Sequence, residues 1–233
     1  MWWAIPLAAI VGYAIGSIQF GLIIGRITKG VDIRDFGSGA TGATNVIRTS
    51  GAKAGVLVIL LDIAKGVSAV YISVGLAHLA GISPNDDRAW VSAAGALAAV
   101  VGHVWPVWAG FRGGKAVASG FGAALAMNPL AAVAMLPVAA VVVGATRIMS
   151  VMTITMTPAL AMLFIILAAL DISPPAYAVY AVGAAAIIVY KHRPNIERLL
   201  AGTEPRIGKG GDKRVDASAT AGATHKEPTP TRR

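Results

Sequence analysis

The chain has 233 residues, 56% of them hydrophobic and only 13% charged, with a formal net charge of +9 at pH 7. That balance excludes an ordinary soluble domain and suits a bundle of membrane helices. Cysteine is absent, which removes disulfides, thiolate nucleophiles and cysteine-ligated metals.

A helix needs about 20 apolar residues to cross the hydrocarbon core. The first candidate, Trp3–Ile24, has no cationic leader before it and reads as a retained span, not a cleaved signal. Next comes Gly37-Ser38-Gly39-Ala40-Thr41-Gly42-Ala43-Thr44-Asn45-Val46-Ile47-Arg48, a small-residue loop. Its backbone N–H groups, hydroxyls, amide and guanidinium form a set of donors suited to phosphate. A plain linker has no need of them at such density.

The second span, Ala54–Leu76, carries Asp62 and Lys65 three residues apart on one helical face. Ionisable groups inside a span pair or serve function, and the sequence leaves both open here. The third span, Trp90–Ala109, contains His103, which reads equally as a backbone-bonded helix-end residue or as part of a site. It runs into Gly110-Phe111-Arg112-Gly113-Gly114-Lys115, where Gly-Gly-Lys leads into the apolar piece Ala116–Met127. Backbone donors, a helix start and an ammonium are the components of a phosphate loop, although the full Walker spacing is missing.

Three more spans follow, Leu130–Ala145, Val151–Leu170 and Pro175–Tyr190. Ser150 reads either as a helix N-cap or as a site residue. Beyond the last span lie Lys191-His192-Arg193-Pro194-Asn195, where His192 has the near-neutral pKa that suits proton transfer or phosphate binding.

If Ala116–Met127 crosses the membrane, the loops alternate sides. Arg26, Lys29, Arg34, Arg48, Lys53, Arg112, Lys115, Arg147 and the basic tail then share one face, and Arg88 is the only cation on the other. This charge bias predicts an all-α, polytopic membrane helix bundle of about seven transmembrane helices, with the N-terminus outside and the C-terminus cytoplasmic. A re-entrant reading of the short piece breaks the pattern. Residues 1–207 form the membrane domain, and 208–233 read as a basic, disordered cytoplasmic tail. The basic residues sit in juxtamembrane loops, apart from most aromatics, which points to anionic lipid and away from nucleic acid.

Together the three loops resemble the membrane-bound acyl-phosphate:glycerol-3-phosphate acyltransferase family, the PlsY type, from the first span to about Gly208. The resemblance rests on the Gly37–Asn45 run with Arg48, on Gly102-His103-Val104-Trp105-Pro106 with Phe111–Lys115, and on His192–Ile196 with Arg198, Gly202 and Glu204. It implies transfer of a fatty acyl group from acyl phosphate to the 1-hydroxyl of glycerol 3-phosphate, giving lysophosphatidic acid in bacterial phospholipid synthesis. It implies no cofactor and no metal, a monomer in the inner (plasma) membrane, and an active site facing the cytoplasm.

By the same resemblance Arg48, Lys115, Ser150, His192 and Asn195 would line the glycerol-phosphate pocket. Ser38, Gly39, Asn45, Gly113 and Gly114 would hold the acyl phosphate, Ser38, Arg48, His192 and Asn195 would take part in catalysis, and Glu204 would brace the third motif. The proton acceptor stays open between His192 and a phosphate oxygen. The family usually has Asn then Ile or Pro at Ala40-Thr41, and Gly at Ala116. A transporter reading expects broken, charged helices at mid-bilayer in repeated halves; here the polar motifs sit at one face and no repeat is evident.

Overall fold

The computed structural model describes residues 3–83 and 86–207. The predicted tail, 208–233, lies outside them. Every regular element among the described residues is a helix, and none is a β-strand. In chain order the helices are α1 (Ala4–Gly16), α2 (Phe20–Lys29), α3 (Ala43–Ser50), α4 (Ala52–Leu79), α5 (Asp86–Val104), α6 (Val117–Met127), α7 (Pro129–Thr146), α8 (Met149–Ala169), α9 (Pro175–Lys191) and α10 (Arg193–Leu200). Two 3-10 turns, Ile33–Asp35 and Val107–Ala109, lie in the loops.

Among the described residues, five segments are long and apolar enough to cross a membrane: Ala4–Lys29, Ala52–Leu79, Asp87–Ala109, Pro129–Thr146 and Met149–Ala169. Val117–Met127 and Pro175–Lys191 are shorter apolar helices. Large apolar side chains such as Leu60, Leu130, Val141 and Ile166 point outward, which only a lipid surrounding tolerates in such number. The interior is built largely of alanine with a few larger anchors, chiefly Phe164, Tyr180 and Val100. Tyr180, fully enclosed, donates its hydroxyl to the Gly120 carbonyl at 2.8 Å and so ties α9 to α6.

In lipid, helices gain nothing from hiding apolar surface from one another, so close packing of small residues takes over. A methyl group at Gly12 would meet the Gly95 backbone, which brings α1 against α5. A methyl group at Gly66 would meet the Ser119 backbone, which brings α4 against α6. The break between α6 and α7 falls at Asn128-Pro129, as the sequence predicts. Asn128 caps α7 by accepting from the Ala131 N–H at 3.0 Å, and proline occupies the first turn, where its missing N–H costs nothing.

Two expectations are corrected. The span predicted as Trp3–Ile24 is not one helix, since it breaks at Ser17-Ile18-Gln19 between α1 and α2. An orphaned buried carbonyl costs about 1–3 kcal/mol, and here Lys65 removes that cost by donating from Nζ to the Ile18 carbonyl at 2.8 Å. Lys65 is itself paired with Asp62 at 2.9 Å, with both side chains almost fully enclosed. The predicted i,i+3 pair therefore forms, and it holds a helix break open. The second correction concerns the first loop, of which only residues 37–42 are irregular. Ala43–Ser50 is helix α3, capped at Gly42, so Asn45 and Arg48 ride on a helix.

Candidate functional site

The first loop gets its shape from Asn45. Buried at the start of α3, its Nδ2 donates to the carbonyls of Ile33 (2.7 Å), Phe36 (3.0 Å) and Ala40 (3.0 Å). Its Oδ1 accepts the Ser38 N–H at 3.3 Å. A side chain at Gly37, where φ is +54°, would run into that same Oδ1. Asn45 thus uses its whole amide on the loop and offers none of it to a ligand, which corrects the expectation that it binds substrate directly.

The second loop folds back on the end of α5. The Gly113 N–H donates to the Val104 carbonyl at 3.2 Å, and the Gly114 N–H donates to the His103 carbonyl at 3.1 Å. The His103 ring packs beneath Gly114, where a methyl group would strike Nε2, and its Nδ1 lies 3.3 Å from Ser119 Oγ and 3.7 Å from Asp62. His103 is therefore a support under the loop. Arg34 links the first two loops: its guanidinium grips Asp32 and donates to the Ala109 carbonyl at 2.8 Å. That grip holds the Asp32 carboxyl below the usual carboxylate range, outweighing burial.

The third region turns on Glu204. One carboxylate oxygen accepts from Ser150 Oγ (2.7 Å) and from Asn195 Nδ2 (2.6 Å), and the other accepts from Arg198 Nε (2.7 Å). Burial raises its pKa, but the hydrogen bonds from Asn195, Ser150 and Arg198 outweigh that and bring it below normal. Ser150 lies inside α8 behind the N-cap residue Ile148, so the N-cap reading of Ser150 is replaced by this bond. Asn195 in turn accepts a hydrogen bond from Lys115 Nζ. One carboxylate thus fixes α8, α10 and, through Asn195, the second loop.

The three regions enclose a single polar cleft of about 170 Å³. Ser38, Gly39 and Ala40 line it from the first loop, and Gly113, Gly114 and Lys115 from the second. Lys191, Pro194, Asn195 and Arg198 line it from the third. It is smaller than the roughly 300–1,000 Å³ of drug-sized sites and has the scale of a small polar molecule. Burial pushes the Lys115 ammonium down to about 8. Glu204 opposes that shift, while Arg198, Arg48 and Lys191 add to it. The cations around Lys115 outnumber the one carboxylate, and an anion in the cleft relieves their repulsion.

Ser38, Gly39, Gly113, Gly114, Lys115 and Asn195 reach the cleft as the sequence predicts, whereas Arg48, Ser150 and His192 stand behind its wall. Arg48 is half-buried on α3 and close enough to act on Lys115. His192 is 3% exposed at the corner between α9 and α10, with Nδ1 at 2.7 Å from the Ile188 carbonyl. A carbonyl only accepts, so Nδ1 carries the proton and Nε2 keeps a free lone pair. Burial first, then Lys115, push this imidazole down to about 4 against the pull of Ile188 and Glu204. It is neutral at physiological pH.

Sequence reasoning passed over Lys191 and Arg198 as wall residues and missed Gln19, whose amide joins the Thr41 hydroxyl to the His103 carbonyl. Gln19 was detectable as an uncharged polar residue within an apolar span. Among the described residues, no three His, Asp or Glu side chains converge as a metal site would require.

The family model described as glycerol-3-phosphate acyltransferase matches residues 6–202. A glycerol-3-phosphate acyltransferase of Parasynechococcus marenigrum (strain WH8102) is 40% identical over 199 residues, 85% of this chain and 88% of its own length. Another, of Anaeromyxobacter sp. (strain Fw109-5), is 46% identical over 196 residues, 84% and 93% of the two chains. Among solved structures, the crystal structure of PlsY (YgiH), an integral membrane glycerol 3-phosphate acyltransferase, matches in its glycerol 3-phosphate form with a TM-score of 0.74 and 38% identity. That match covers 87% of this chain and 94% of the other. The lysophosphatidic acid form of PlsY gives a TM-score of 0.73 at 37% identity.

Proposed function

Because the chain belongs to the glycerol-3-phosphate acyltransferase family of integral membrane enzymes, we propose that its polar cleft joins glycerol 3-phosphate to an acyl group delivered as acyl phosphate. The observation that carries this reading is the convergence of three distant segments on one cation-rich cleft. Both proposed substrates bear phosphate, and fixed cations with backbone N–H donors match that charge. Lys115, Asn195 and Arg198 would hold glycerol 3-phosphate, with Arg48 adding long-range attraction. Ser38, Gly39, Gly113 and Gly114 would cradle the acyl phosphate. Ser150 and Asn45 would act by bracing, through Glu204 and through the first loop.

Acyl phosphate is already activated, so holding the 1-hydroxyl against its carbonyl carbon supplies much of the rate. The hydroxyl oxygen forms the new ester bond, the carbonyl carbon–phosphate oxygen bond breaks, and inorganic phosphate leaves beside lysophosphatidic acid. His192, at about 4, is a weaker base than a phosphate dianion, whose second pKa is about 6. The proton therefore goes to phosphate, while His192, behind the wall, holds the corner between α9 and α10 through its bond to the Ile188 carbonyl. No cofactor enters.

The same reading has seven crossings, made by the five long helical segments and the two shorter apolar ones. The N-terminus lies outside and the cleft faces the cytoplasm at the inner membrane, in keeping with the loop cations and with the role in phospholipid synthesis.

The test is turnover by purified protein in nanodiscs, with acyl phosphate, acyl-CoA and acyl carrier protein as rival donors. Acyl phosphate alone is expected to support release of phosphate and formation of lysophosphatidic acid. Turnover with either thioester at an equal rate would overturn the donor assignment.

A further inference from the structure

We propose that Gln19 is a positioning residue that clamps the first cleft loop to the second. It sits in the break between α1 and α2, 6% exposed. Its Oε1 accepts the Thr41 hydroxyl proton at 2.6 Å. Its Nε2 donates to the His103 carbonyl at 3.3 Å and to the Ser17 carbonyl at 3.4 Å. The amide has one possible orientation, because the two carbonyls can only accept and so demand the nitrogen.

Each end of this bridge is one step from the cleft. Thr41, itself buried, follows the wall residue Ala40. The His103 carbonyl that receives Gln19 also receives the N–H of the wall residue Gly114 at 3.1 Å. Gln19 therefore sets the distance between the two glycine-rich walls, across 84 positions of sequence. A buried amide is costly unless both its ends are used, and here both are used on the site.

The helix break keeps its main support without this amide, since Lys65 satisfies the Ile18 carbonyl independently and is neutralised by Asp62, and only the 3.4 Å bond to Ser17 is lost. Removing the amide should thus loosen the walls while α1 and α2 keep their arrangement. The clamp stands on geometry alone, whereas its kinetic consequence rests on the acyl-transfer reading above.

The experiment compares Gln19→Leu, Thr41→Val, the double variant and Thr41→Ser with wild type, all full-length in nanodiscs. Hydrogen exchange is read at residues 38–42 and 113–114, and kcat and KM for glycerol 3-phosphate are measured with acyl phosphate. Either single variant is expected to speed exchange in both loops, at unchanged exchange in α8, and to lower kcat/KM about tenfold. The double variant should be no worse than either single one, and Thr41→Ser, which keeps the hydroxyl, should match wild type.

Unchanged protection at 113–114 in Thr41→Val would overturn the clamp. So would additive effects, or a Thr41→Ser variant as impaired as Thr41→Val. Thr41→Val carries the test if Gln19→Leu does not fold. A wild type that shows the exchange pattern but no turnover with any donor would remove the acyl-transfer reading and leave the clamp in place.

Discussion

Lys115 and Asn195, 80 positions apart, meet through a hydrogen bond from the ammonium to the amide oxygen, which seals the second loop against the third. The opposite side of that amide donates to Glu204 at 2.6 Å, so Asn195 relays a carboxylate's hold to a cation without touching charge to charge. Lys115 keeps its remaining protons for the cleft.

Lys115→Met removes a fixed donor from the cleft, and preorganised donors of this kind are worth about 10²- to 10³-fold in rate. A fall of that size in kcat/KM for glycerol 3-phosphate is expected. Asn195→Ala should fall comparably, because it frees Lys115 and Glu204 to collapse onto each other. Steady-state kinetics with unfolding measured in parallel would separate loss of chemistry from loss of fold.

Burial holds the Lys115 ammonium at about 8, so the group is cationic below that pH and neutral above it. Free-enzyme ionisations appear in kcat/KM. From pH 7 upward glycerol 3-phosphate stays a dianion, and kcat/KM for it should drop about tenfold per pH unit beyond 8. Lys115→Arg is cationic throughout and should keep a flat profile between about pH 7 and 9.5. A descending limb retained in that variant would assign the ionisation elsewhere.

Glu204 has a lowered pKa in the folded protein because three donors favour its charged form over the opposing effect of burial. Its stabilisation is therefore complete above the unfolded value of about 4.3 and is lost as pH falls through that value toward the folded one. Glu204→Gln should cost about 2 kcal/mol at pH 7, and the gap to wild type should narrow as pH falls below about 4. Thermal unfolding across this range is the measurement.

Ala116, at the start of α6, has φ +60° and is 1% exposed. A left-handed conformation costs an L-residue roughly 1–2 kcal/mol, and glycine escapes that cost. Relief of strain offsets the lost methyl contact, so Ala116→Gly should leave stability within about 1 kcal/mol of wild type. Ala116→Val combines β-branching, positive φ and no space, and should cost more than about 2 kcal/mol.

Most of the helical segments were legible in the sequence, because an apolar run of span length has few alternatives in lipid. The break at Ser17–Gln19 was not, since averaging over twenty residues hides one serine and one glutamine. What decides it is Lys65, 47 positions away from Ile18. The residue types of the cleft were legible, but the division between wall and brace was not. Ser150 and Asn195 look alike as small polar residues near a helix start. Only the 54-residue return of Glu204 to Ser150 sets one behind the wall while the other lines the cleft. Glu204 was expected to brace the third motif, and its bonds to Asn195 and Arg198 do so.

Glu204 follows α10, later in the chain than every residue that lines the cleft. During synthesis Ser150, Asn195 and Arg198 therefore gain their common anchor only after the lining of the cleft has been made. Nascent or prematurely terminated chains, already seated in the bilayer, would carry every upstream cation yet lack the carboxylate that ties α8 to α10.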